Sequence, residues 1–364
     1  MGIRFDLRLV ILGGALAVFG AFGSVPGAYA CYECNSSEDE DAAVSATKTT
    51  ARTTTQSTVR AISSSISSSV SGAIAGAVRI SPTPGSAPGG AAPSKTKVKG
   101  VSGGDDGLAL SSLWGTFDVL KVNVTPDGNR DQERKTLVGT LLAGGDAEVS
   151  DGVFVGMSLG YSMGDTFGED RTAGWFGQGN EAFIFAPYAA YIINDNFYAD
   201  GQIGYISGRM KTTNFSAANA VTSQSKQDST TKFIAAHLNY VRNVDGIDWG
   251  AVFGYSWMMN DGEDYTRTDG TNIAGYHTTH YQFTLGGSVS YLYNIGETTY
   301  RPYGKAVYER DGNIKGIGEN GLRLIAGVDW AANDNFTFAL EANKLLLKQD
   351  QKEWGASLNL RYAF

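Results

Sequence analysis

Twelve segments alternate apolar with small or polar residues, their connections alternate between long and short, and the last segment ends on aromatic rings. These observations predict an all-β chain: a 12-stranded antiparallel up-and-down transmembrane β-barrel, preceded by a low-complexity segment with helical character. The composition agrees. Of 364 residues, 47 are glycine and only 8 proline; charged residues make up 18% and aromatics 11%. Abundant glycine and aromatic residues with few charged helix formers favour strand over helix. A formal net charge of −8 argues against a nucleic-acid partner.

From the N-terminus, Arg4 and Arg8 precede the apolar run "LVILGGALAVFGAFG", residues 9–23, and then "GAYA". Ala28 and Ala30 fit the small-residue positions of a signal-peptidase site, so residues 1–30 read as an export signal cleaved after Ala30. The run is shorter than the roughly 20 residues a membrane helix needs. Cys31 and Cys34 follow at once in "CYEC". Three readings stay open for them: two cysteines on a flexible end with no specific role, a small disulfide in an oxidising compartment, or lipidation of Cys31.

Residues 31–108 form one Ser/Thr/Ala-rich and then Pro/Gly/Ser-rich block, with too few large apolar side chains to build a core. Within it, Val59, Ile62, Ile66, Val70, Ile74 and Val78 recur at helical spacing, which predicts a helix within 55–80. Serine disfavours an isolated helix, so this one needs a partner surface. Residues 42–104 hold no Asp or Glu but seven cations, Lys48, Arg52, Arg60, Arg79, Lys95, Lys97 and Lys99. The body that follows carries −11. A cationic strip thus precedes an acidic body.

Residues 109–364 are expected to form the barrel. In "YQFTLGGSVSYLY", Tyr281, Phe283, Leu285, Val289 and Tyr291 share one face, and Gln282, Thr284, Ser288 and Ser290 the other. "WGAVFGYSWM", "LRLIAGVDW" and "FTFALEAN" repeat the theme. The segments begin near Leu113, Lys135, Val153, Ala182, Phe197, Thr231, Ile247, Thr279, Tyr300, Leu322, Phe336 and Lys352. Their connections run long, short, long, short, from "VTPDGNRDQER" and "DAEVSDG" to "RDGNIKGIGENG" and "AANDN". In an up-and-down sheet this puts every long loop at one end, as in a barrel with short periplasmic turns and long extracellular loops. The oily faces have no amphipathic helices to cover them, and lipid needs none.

The last segment, "WGASLNLRYAF", places Trp354, Ala356, Leu358, Leu360, Tyr362 and Phe364 on one side, with rings at the expected water boundary. The set Leu358, Leu360, Tyr362 and Phe364 resembles the terminal signal read by the bacterial barrel assembly machinery. With this ending and hairpins such as "APYAAYIINDNFYADGQIGYISGRM" and "YRPYGKAVYER", residues 108–364 resemble the translocator domain of autotransporters, the type V secretion proteins. The resemblance implies a barrel in the outer-membrane lipid, crossed by the segment upstream of strand one, which links to an exported passenger. Only about 78 residues separate the signal from the barrel here, where family passengers are usually long β-solenoids.

No catalytic, metal or cofactor site is expected. His277 and His280 sit near a long loop, outside any serine-nucleophile arrangement, and His237 reads as a polar lumen residue. The acids Asp261, Glu263 and Asp264 match no calcium-loop spacing. No Asn lies between Asn35 and Asn123, which removes the substrate residue of intraluminal self-cleavage. By alternation, Asp200, Gln202, His237, Asn239, Arg301, Lys305, Glu309, Arg323, Asp329, Glu341, Asn343 and Arg361 point inward. They are expected to meet the chain's own N-terminal segment in the lumen. Three functions follow: export of a short passenger, surface adhesion through the long loops with an unspecified ligand, or a small-solute channel.

Overall fold

The computed structural model describes residues 54–67, 110–125, 133–170, 174–216, 218–295, 298–312, 320–333, 335–349 and 351–364. The expected signal segment with Ala28 and Ala30, both cysteines, and the stripe residues Val70, Ile74 and Val78 lie outside the described residues. Twelve strands build the barrel: β1 Ser112–Val124, β2 Arg134–Ser150, β3 Val153–Asp170, β4 Gly174–Ile192, β5 Phe197–Phe215 and β6 Val221–Val244. They continue with β7 Ile247–Gly262, β8 Tyr276–Tyr291, β9 Thr298–Gly312, β10 Asn320–Ala331, β11 Phe336–Leu346 and β12 Gln351–Ala363. Among the described residues there is one helix, α1, over residues 54–67.

Each strand pairs antiparallel with the next, and β12 returns to β1 with Ala363 opposite Ser112 and Gln351 opposite Val124. Closure removes the open edges that a lipid-embedded sheet cannot tolerate. At one end the turns are tight. Between β6 and β7, Asp245 and Gly246 both take positive φ, 54° and 81°. This is the two-residue turn whose twist matches its strands. Two "NDNF" turns share another device. Asn194 Oδ1 accepts from the N–H groups of Asn196 and Phe197, and Asn333 Oδ1 from those of Asn335 and Phe336. Such an asparagine folds its own backbone.

Alternation then sorts the side chains. Met157, Leu159, Phe183, Ile203, Ile234, Phe253, Leu285, Leu340 and Leu358 point outward and are exposed, Leu285 to 60%. Ser158, Ile184, Gln202, Ala235 and Ser357, one residue away, point inward and are buried. An apolar belt of this extent is far larger than water tolerates, and hydrocarbon removes the cost. Rings bound the belt at the short-turn end. Phe197 meets Tyr240 at 4.9 Å; Tyr300, Trp330 and Phe338 stack in a row at 6.0 and 5.0 Å; Tyr362 meets Phe364 edge-on at 5.1 Å. Amphipathic rings prefer that boundary.

The wall is not equally tall all round. β3 to β7 run for 18, 19, 19, 24 and 16 residues, whereas β9 to β12 run for 15, 12, 11 and 13. Two connections that read as long loops are therefore mostly strand. β4 begins at Gly174 rather than near Ala182, and β6 at Val221 rather than near Thr231. Beyond the bilayer both faces of a sheet are wet, so "VTSQSKQDST" carries almost no alternating hydrophobic signal although its strand pairing continues. In the β7–β8 connection, Tyr265–Thr266 pairs with Asn272–Ile273, and Thr268 N–H donates to Gln224 O of β6.

Candidate functional site: a helix-filled lumen

The sequence of α1, "TTQSTVRAISSSIS", is poor helix material in water, because Ser and Thr side chains compete for backbone groups. Here several bond back within the helix. Thr58 Oγ1 donates to Thr54 O at 3.0 Å, and Ser64 and Ser65 Oγ donate to Ala61 O at 3.1 and 2.7 Å. The barrel supplies the rest. Val59, Ile62 and Ile66 are fully buried in one cluster with Leu142, Ile184, Ile206, Phe233 and Met258 from β2 and β4–β7. Each such side chain taken from water contributes about 1.5–3 kcal/mol.

The polar ends of α1 fix its direction. Gln56 Nε2 lies 3.1 Å from His280 Nε2 and donates to Asp311 Oδ1 at 3.2 Å, both at the long-loop ends of their strands. Ser67 Oγ donates to Asp200 Oδ1 at 3.1 Å and lies 3.3 Å from His237 Nδ1, near the short-turn end. α1 therefore runs down the lumen from the long-loop end to the short-turn end. Ser112, where β1 begins, lies at the short-turn end too.

Arg60, the one cation in residues 54–67, clamps the middle. It reaches Glu353 Oε2 at 2.8 Å and Glu309 Oε2 at 3.4 Å. The same carboxylates hold Arg323, through Nε to Glu309 Oε1 at 2.6 Å and Nη2 to Glu353 Oε2 at 2.5 Å. Two acids and two guanidiniums neutralise one another, which offsets the several kcal/mol each ion loses on leaving water. Nearer the mouth, Lys348 pairs with Asp311, which also accepts from Gln282 Nε2 at 2.6 Å.

The remaining inward residues divide by side. Gln202 bonds Ser63, and Asn239 Nδ2 donates to Asp200 Oδ2 at 2.8 Å. Across the lumen, Arg301 Nε donates to Asp329 Oδ2 at 2.8 Å, Lys305 lies 3.6 Å from Glu341, and Arg361 lies 3.4 Å from Asp146. Arg301, Asp329, Lys305, Glu341, Asn343 and Arg361 line a cavity of about 410 Å³ beside Arg60, Ser63 and Ser64 of α1. The helix is thus packed against one wall and faces a cavity along the other, into which these charged groups project.

Several anchors escaped sequence reasoning. Glu353 continues the polar row of Ser357, Asn359 and Arg361; Asp311 follows Glu309 by two residues. His280, read as lying near a loop, precedes Gln282 by two and is buried in the lumen at 2% exposure. Carrying each alternation one step further would have found all three. Lys348 had no such signal, because Leu347 takes a positive φ of 58° and breaks the strand just before it. Trp114 Nε1 donates to Tyr188 OH at 2.7 Å, and Tyr188 OH donates to Asp146 Oδ2 at 3.1 Å. This array needs glycine beneath it, since a Cβ on Gly144 or Gly156 would enter the Trp114 or Tyr188 ring.

A closed 12-stranded barrel with a helix threaded through it is the setting for the comparisons with known proteins. The model of the autotransporter β-domain family matches residues 114–343, well over half of the chain. The chain belongs to that family. Among solved structures, this autotransporter β-domain is similar to the translocator domain of autotransporter NalP from Neisseria meningitidis, with 12% identity and a TM-score of 0.59. That match covers 70% of this chain and 88% of the other. The β-domain of the Bordetella autotransporter Brka matches with 17% identity, 70% and 100% coverage and a TM-score of 0.55. The transport unit of the autotransporter AIDA-I from Escherichia coli matches with 12% identity, 70% and 90% coverage and a TM-score of 0.56. At these identities the likeness is one of fold. No curated protein matches the chain in sequence. The family places the barrel in an outer membrane.

Proposed function

We propose that this autotransporter β-domain carries the chain upstream of α1 through its lumen to the cell surface and retains α1 as plug and anchor. The reading rests chiefly on the direction of the helix. Gln56 is held at the long-loop end and Ser67 at the end where β1 begins. A chain threaded this way emerges at the long-loop end, the extracellular one in bacterial barrels. Residues 31–53 would then be the exposed passenger, after cleavage beyond Ala30. The lumen set from Asp200 to Arg361 holds the helix by hydrogen bonds and ion pairs, and no chemical step is assigned to it. An epitope tag at Asp41 tests the reading: it should label on intact cells, and confinement to the periplasm removes export.

The terminal rings Tyr362 and Phe364, with Leu358 and Leu360, are proposed as the signal to the barrel assembly machinery. Phe364→Ala should cut the amount of folded barrel in membranes several-fold, while the purified barrel keeps its unfolding midpoint. Equal yields would remove the signal. A second reading, a surface-exposed adhesive barrel, draws support from the tall wall of β3–β7 and has no ligand assigned. Shortening β5–β6 beyond Arg209 and Asp228 should abolish cell attachment under that reading and leave the Asp41 tag exposed under the first. The channel reading predicts steady conductance from the purified wild-type barrel in planar bilayers, where a seated helix predicts a mostly closed one.

A further inference from the structure

The outward face of β9–β12 and β1 holds no Asp or Glu. It holds four cations, Lys121, Arg310, Lys344 and Lys352, all at the long-loop end of their strands. Among the described residues, none of the four meets a carboxylate. The opposite arc is built differently. There, two of the outward cations are answered by acids: Lys211 lies 3.4 Å from Glu181, and Arg209 lies 2.6 Å from Asp228. Acids share the outward face with cations on that arc, and the face of β9–β12 and β1 has none.

Strand register gathers three of these cations around one ring. Trp354 of β12 is the register partner of Lys121 on β1 and of Lys344 on β11, and Lys352 lies two residues further along β12, opposite Asn123. With strands about 4.8 Å apart and about 3.4 Å per residue, the three lysine Cα atoms fall within roughly 10 Å of one another. Trp354 is 52% exposed, and below it, past Ala342 and Ala356, lie Leu340 and Leu358 of the apolar belt. On this short arc the strands end just past the lysines, so the ammonium groups stand where hydrocarbon gives way to headgroups. Long lysine stems lie along apolar surface while the charge seeks the polar layer.

We propose that the outward face of β11, β12 and β1 at the long-loop end is a binding site for a phosphorylated lipid. Its acyl chains lie against Leu340, Leu358 and Trp354, and its phosphates lie between Lys121, Lys344 and Lys352. The charge is complementary, the belt below is continuous with the bilayer, and no acid among the described residues of these strands competes on this face. The site depends on membrane embedding and not on passenger export, so the Asp41 tag and the lipid experiment fail independently.

The test uses the purified full chain in nanodiscs of zwitterionic phosphatidylcholine, titrated with diphosphorylated lipid A, with bound lipid counted by native mass spectrometry. Wild type should retain lipid A over its phosphate-free form. Each lysine near an anionic surface is worth a factor of about five, so K121Q/K344Q/K352Q should bind at least tenfold more weakly. The matched triple K211Q/K226Q/K232Q on the opposite arc should bind as wild type does. Equal loss in both triples, or unchanged binding in the first, overturns the site. Heat-modifiable gel mobility reports that each variant is folded. If the first triple does not fold, K344Q and K352Q alone should each weaken binding about fivefold, and wild-type binding by both overturns the proposal.

Discussion

Arg60 shows how a single side chain sets the state of the lumen. It is only 19% exposed at its side chain and shares two buried carboxylates with Arg323. Removing it leaves Glu309 and Glu353 with one guanidinium between them, an uncompensated charge that costs on the order of 3 kcal/mol. Arg60→Ala should therefore loosen α1 and raise the open probability in planar-bilayer recordings. Adding Glu353→Gln should restore part of the closed state, because it removes the unpaired charge. The glycines under the rings act through space instead of charge. Gly156→Val would have to displace Tyr188, and should lower barrel stability by about 1–3 kcal/mol in urea unfolding from detergent micelles. Gly177→Val, where a Cβ meets nothing within 4 Å, should not.

At the scale of elements, α1 and the strands take their stability from different sources. The strands hold each other by register, and their turns carry local instructions such as the two "NDNF" asparagines. The helix has no local support of that kind. Fourteen residues, about 21 Å of helix, are marginal alone even for good helix formers, and half of these are Ser or Thr or more. A peptide of residues 54–67 should give a coil spectrum by circular dichroism in water. The apolar stripe Val59, Ile62 and Ile66 was legible as a helix face, but its partner was not. Nothing local in "TLLAG" or "FIFAP" marks Leu142 and Ile184 as the surface that covers it. The strands were legible where one face is oily and one wet, and illegible at the tops of β4 and β6, where water touches both faces.

The whole molecule is an asymmetric cylinder. One arc, β3–β7, has strands of up to 24 residues; the other, β9–β12, has strands as short as 11. The lumen is divided likewise, with α1 pressed on the tall side and a cavity lined by Arg301, Lys305, Asp329 and Glu341 beside the short one. Because hydrocarbon solvates the outer belt, the folded chain should run as a compact band on unboiled gels and shift to its full mobility on boiling. Its folded form should be lost when detergent is withdrawn.

The sequence by itself determined the barrel: twelve alternations, an end-to-end asymmetry of connections, and a last strand fit to face lipid. Those features are periodic and local, so each can be read from a few neighbouring residues. Only the tertiary structure decided which carboxylates hold Arg60, which way α1 points, and that Lys121 and Lys344 flank Trp354. Those facts depend on barrel closure and on the seating of α1, which bring Ser67 to Asp200 across 133 positions and Arg60 to Glu353 across 293, and no local pattern encodes such a meeting.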